Sequence, residues 1–114
     1  MIYYPDEHAD GSWADPVLSF LNYDKNPRKL QLVIRKIFEL ATQQINVPGS
    51  EVIAVPLFLA LDSRETADYI QRVEPSALGG EKMARLLIEA MGDGGKSHMN
   101  SRFALHRQNM DRMI

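Results

Sequence analysis

Apolar residues recur at three-and-four spacing in several stretches of the chain, with polar positions between them. The clearest stretch is 26–45. Leu30, Val33, Ile34, Ile37, Phe38, Ala41 and Ile45 fall on one stripe, while Arg28, Lys29, Arg35, Lys36, Glu39 and Gln43 lie mainly away from it. Asn26 is a favourable N-cap, and Pro27 sits in the first turn, where its missing N–H costs nothing. Val47, Pro48, Gly49 and Ser50 end the pattern. The spacing predicts a long central helix with Ile37 and Phe38 both in the core and Arg35 and Lys36 on the polar side. Leu32 and Leu40 lie off the stripe and widen the apolar surface beyond what one neighbour would cover.

Asp15 and Pro16 repeat the same start signal for a short helix carrying Val17, Leu18, Phe20 and Leu21, folded back on the long one. Residues 1–14 read as an irregular arm strapped down by Tyr3, Tyr4 and Trp13. The apolar run 51–61 fits a buried strand or a buried helix; Pro56 favours an extended approach through Val55 and a helix starting at Pro56. Capping pairs Asp62 with Glu65, or Ser63 with Thr66, open a further helix to about Val73. Met83, Leu86, Leu87, Ala90 and Met91 mark a helix from Gly80 that the glycines at 92, 94 and 95 stop. A last helix starts at Ser97 or Asn100, with Met99, Phe103, His106, Met110 and Met113 on one side. The expected fold is therefore all-α, a single compact domain of about five helices over residues 1–114. The alternative is α+β, with 51–61 as a buried strand.

Composition changes this picture little. The chain has 114 residues, 45% hydrophobic and 25% charged, an ordinary globular balance. It has no cysteine, which excludes disulfides, thiolate metal sites and cysteine nucleophiles. The longest apolar run, 52–61, has ten residues against the roughly 20 of a spanning helix, so no membrane span is expected. The start of the chain carries no basic, apolar leader, which gives the expectation of a cytoplasmic protein. Net charge is −2, distributed in blocks: −5 over 1–24, +4 over 25–50, −4 over 51–95 and +3 over 96–114. Mutual neutralisation of these blocks in the folded domain is the expected outcome.

Candidate chemistry is sparse. Ala90 through Gly95, Lys96 and Ser97 satisfy a relaxed phosphate-loop pattern, but the preceding segment is helical in period and too little chain follows to complete a parallel sheet. Asp6, His8, Asp10 and Gly11 imitate the first half of a calcium loop whose closing position holds Val17 where a bidentate Glu is needed. His8, His98 and His106 have no helical metal-pair spacing, and no serine sits in a nucleophile elbow. Neither a metal, a cofactor nor a catalytic residue is expected, and enzymatic activity has no positive support.

The leading expectation is a small protein-interaction module, acting as a homo-oligomer or as an accessory subunit of a larger assembly. Its candidate contact residues are Leu32, Leu40, Met99, Phe103, Met110 and Met113, apolar or adaptable side chains on two helices. The alternative is a nucleic-acid-binding accessory protein using 62–112 in a helix-turn-helix-like arrangement, with Lys96, Arg102, Arg107 and Arg112 as its cations. Against it stand the long connection 74–79, the Gly79–Gly80 pair at the start of the reading helix, and a five-residue arginine spacing that scatters the charges round the axis.

Overall fold

Both Asx-Pro pairs start helices. In the computed structural model, which describes residues 3–112, α1 spans Asp15–Phe20 and α2 spans Pro27–Leu40, each with proline in its first turn. A 3-10 turn, Thr42–Gln44, extends α2, so the helix is shorter than 26–45. Helix α3, Ala77–Met91, opens three residues before Gly80 because the Ser76 hydroxyl caps it, accepting from the Gly79 amide at 3.1 Å. Helix α4, Gly95–Arg112, follows after the turn at Gly92–Gly94 and starts two residues before Ser97. The described residues hold four α-helices, not five, and are mostly helical.

The missing helix is the one expected over 62–73. That stretch contains a 3-10 turn, Thr66–Asp68, then strand β1, Tyr69–Ile70, and strand β2, Glu74–Pro75. The two strands pair antiparallel, Tyr69 opposite Pro75 and Ile70 opposite Glu74. Gln71 and Arg72 turn the hairpin at φ of 53° and 68°, a left-handed conformation no helix contains. Two buried side chains fix this choice. Asp68 accepts from the Asp62 amide at 3.1 Å and from Lys82 at 2.7 Å, and Arg72 reaches Asp15 at 3.0 Å and Asp24 at 2.8 Å. Long-range ionic hydrogen bonds thus override the local capping signal.

Residues 51–56 take no regular secondary structure, and a single 3-10 turn, Leu57–Leu59, follows Pro56. Neither a strand nor an α-helix forms, because the run is packed from two directions. Phe58 enters a cluster with Tyr4, Ile34, Phe38 and Phe103, while Ile53, Val55 and Leu57 cover Leu86, Ala90 and Met99 of the α3–α4 pair. In the first cluster the Phe38 ring lies 4.9 Å from Phe103 and 5.4 Å from Phe58, edge to face. A third cluster, Ala14, Leu18 and Tyr23, seats α1.

The arm is tied down by two of its three aromatics. Tyr3 donates to the Val73 carbonyl at 2.7 Å and Tyr4 is buried, but Trp13 is 64% exposed and straps nothing. Charges of the 1–24 block pair with later blocks, Asp15 and Asp24 meeting the buried Arg72.

Candidate functional site

Helix α2 organises the candidate surfaces, and it is turned by about one residue from the orientation its apolar stripe implies. Gln31, Ile34, Arg35 and Phe38 face inward, whereas Val33, Ile37, Ala41 and Ile45 are exposed. Arg35, expected on the polar side, is only 3% exposed. The cause is a set of polar partners brought by distant segments. The Gln31 amide nitrogen donates to the Tyr23 hydroxyl at 3.1 Å, to Ser63 at 3.2 Å and to Glu7 at 3.3 Å, and Arg35 Nη2 donates to Asp111 at 3.1 Å. These bonds let a glutamine and an arginine occupy buried positions outside the apolar stripe.

The rotation leaves α2 with a second apolar stripe pointing outward. Val33, Ile37 and Leu40 recur at i, i+4 and i+7, with exposures of 48%, 54% and 75%. Leu32, on the flank of this stripe, is 36% exposed and lines a groove of about 290 Å³ with Met110 of α4 and the cations Arg28, Lys29 and Arg35. Arg28 presses its Nη1 on the Met110 sulfur at 3.2 Å and has no carboxylate partner among the described residues.

On the other side of the Arg28–Met110 contact is a cleft of about 430 Å³ lined by Tyr4, Glu7, Gln31, Ser63 and His106 among others. Its groups are already engaged with one another. Ser63 donates to the Glu7 carboxylate, and the Tyr4 hydroxyl lies 3.0 Å from His106 Nε2. Burial pushes the Tyr4 hydroxyl up to about 12. Burial also lowers His106 below the usual imidazole value, with Arg35 and Arg28 acting in the same direction. A neutral imidazole bonded to a phenol and a serine bonded to a carboxylate do not make a nucleophile–base pair, which needs the serine on the imidazole.

The remaining candidates fall as follows. Leu40 is exposed on the outward stripe; Met99 and Phe103 are buried in the fold and therefore present little surface to a partner; Met110 is 7% exposed and lines the groove beside Leu32; Met113 lies outside the described residues. Lys96 is exposed in the first turn of α4, on a loop joining two helices, so the phosphate-loop context of strand, loop and helix is absent there. Arg102 pairs with Glu89 at 2.5 Å, Arg107 approaches Glu39 at 3.7 Å, and Arg112 is exposed near the end of α4. The helix-turn-helix arrangement lacks its first helix, since 62–73 is a turn and a hairpin. Asp6 and Asp10 use their carboxylates on the amides of His8 and Ser12, as Asx turns do. No group of three or more potential metal ligands converges among the described residues.

The chain matches no family model, no curated protein and no solved structure.

Arg28, Arg35 and the Tyr4–His106 pair were not singled out as site residues from the sequence. Only His106 carried a usable signal, a polar residue on the apolar side of the last helix, which fits a partly buried imidazole.

Proposed function

We propose that the chain is a small protein-interaction module that docks through the outward face of α2, as a homo-oligomer or as an accessory subunit of a larger assembly. The observation that carries this reading is the second apolar stripe, Val33, Ile37 and Leu40, exposed on a helix whose opposite face already fills the core. A helix needs one apolar face to fold onto its own domain; a second one is explained by a second partner. The absence of cysteine fits a cytoplasmic setting for that assembly.

The test is sedimentation over a wide concentration range, followed by affinity capture with the wild type and with Ile37→Asp/Leu40→Asp as baits. Concentration-dependent association abolished by the double substitution, or a partner retained by the wild type and lost by the variant, supports the module. A chain that stays monomeric and captures nothing in a face-dependent way refutes it.

A further inference from the structure

The groove beside the outward stripe has an electrostatic character that its helix does not explain. Arg28 and Lys29 stand in the first turn of α2, the end where the helix dipole disfavours cations, and that turn contains no acid. Asn26 makes no capping bond to the first amides. Arg35, about two turns further along, is buried, yet among the described residues its Nη1 and Nε have no hydrogen-bond partner, and Glu39 approaches Nε only to 4.0 Å. A buried guanidinium left short of acceptors is costly unless something supplies them. Between these cations the groove floor is apolar, formed by Leu32 and Met110. The cavity of about 290 Å³ is at the small end of the ~300–1,000 Å³ of ligand pockets. It has room for one anchoring side chain, and the rest of a ligand must lie outside it.

We propose that this groove receives an acidic segment of a protein partner, with one apolar side chain seated between Leu32 and Met110 and its neighbouring carboxylates held by Arg28 and Lys29, while the buried Arg35 adds positive potential from beneath. Charge complementarity selects the acidic class: three cations line the groove, and among the described residues Arg28 and Lys29 pair with no carboxylate, while Arg35 meets Asp111 at 3.1 Å and Glu39 at 4.0 Å. Continuity selects a polypeptide over a small molecule, because Leu32 in the groove is followed on α2 by the exposed stripe of Val33, Ile37 and Leu40, along which a chain leaving the groove can run. The inference rests on the reading of α2 as a docking helix and names the chemistry of what docks there.

The experiment is a titration of the isotopically labelled full chain, followed by NMR, with four probes: a short peptide of glutamates around a central Leu-Phe pair, the same peptide with lysines for glutamates, the same with serines for Leu-Phe, and hexanoate. The acidic Leu-Phe peptide should shift the Leu32 and Met110 methyl signals, and both altered peptides should bind at least tenfold more weakly. Lys29→Gln, at an exposed position, and Arg28→Gln should each weaken the acidic peptide severalfold while leaving the rest of the spectrum in place. Equal binding of the serine peptide would reduce the site to unspecific charge attraction, and equal binding of hexanoate would assign it to a small carboxylate; either result overturns the proposal. So would the absence of any shift at Leu32 and Met110 at millimolar peptide. If that last result came with self-association or capture that still depended on Ile37 and Leu40, the interaction module would stand and only the groove's role would fall.

Discussion

Tyr4 and His106 lie 102 residues apart and are joined by a 3.0 Å hydrogen bond that ties the N-terminal arm to α4. The phenol, held protonated by burial, is the stronger donor, and the neutral imidazole accepts at Nε2. Burial holds His106 below its ordinary value of 6.5, so between the two values the unfolded chain binds more protons than the folded one. The contribution of this pair is therefore complete above pH about 6.5 and is lost as the pH falls below it. Urea midpoints measured between pH 8 and 5 should fall with pH across that window, and His106→Gln should flatten the fall. A variant with the wild-type pH dependence would show that His106 does not control it.

Adjacent residues of α2 should behave oppositely. Phe38 packs between Phe58 and Phe103, and Phe38→Ala should cost about 3–5 kcal/mol through lost transfer energy and a cavity. Ile37 is more than half exposed, and Ile37→Ala should cost less than about 1 kcal/mol, since little burial is lost and alanine favours the helix. Chemical denaturation of the two variants measures the difference directly. Similar losses would mean that α2 is not turned as described.

Arg72 clamps three segments at once: Nε donates to the Asp6 carbonyl at 3.1 Å, Nη1 to Asp15 at 3.0 Å and Nη2 to Asp24 at 2.8 Å. An ammonium cannot reach three acceptors set out in a planar fork. Arg72→Ala should cost about 3 kcal/mol, the low end for breaking a buried pair, because Asp15 and Asp24 are partly hydrated. Arg72→Lys should recover less than half of that. Full recovery by lysine in thermal or urea unfolding would show that charge alone, without the fork, holds the arm.

These residues also mark where the sequence stops being legible. Three helix boundaries were readable because their signals are local: Asp15-Pro16, Asn26-Pro27 and the Gly92–Gly94 turn each act on neighbouring backbone, whereas the end of α2 and the starts of α3 and α4 fall two to five residues from where the pattern put them. The facing of α2 was not, because Gln31 and Arg35 are buried by partners 8 to 76 residues away, and apolar periodicity carries no information about them. The hairpin over 69–75 was hidden for the same reason, its shape being set by Asp68 on Lys82 and Arg72 on Asp15 and Asp24. Of the candidate contact residues, Leu32 and Leu40 stood out for lying off the expected stripe, and both are exposed. The methionines and phenylalanine of α4 were weighed by residue type, and residue type does not distinguish a core position from an adaptable surface.

Two neighbouring glycines in the first turn of α3 should respond to alanine with opposite signs. Replacing glycine by alanine inside a helix ordinarily stabilises by roughly 0.5–1 kcal/mol, because the unfolded chain loses freedom and the helix gains a better former. Gly80 meets that condition: a methyl group there has nothing within 4 Å. At Gly79 the same methyl would stand 2.1 Å from the Asp68 carbonyl oxygen and 3.1 Å from the Leu61 side chain. The carbonyl cannot move freely, since it accepts the Ser76 amide at 2.9 Å, and the Asp68 side chain is fixed by Lys82 and the Asp62 amide. The start of α3 must then withdraw from the Thr66–Asp68 turn, disturbing the Ser76 cap and the Lys82 pair together. Gly80→Ala should accordingly raise the unfolding free energy by about 0.5–1 kcal/mol and Gly79→Ala should lower it by at least about 2 kcal/mol, the scale of core overpacking. Equilibrium denaturation of both variants decides the matter: if Gly79→Ala is as stable as Gly80→Ala, α3 does not approach Asp68 closely, and the anchoring of the hairpin on α3 is wrong.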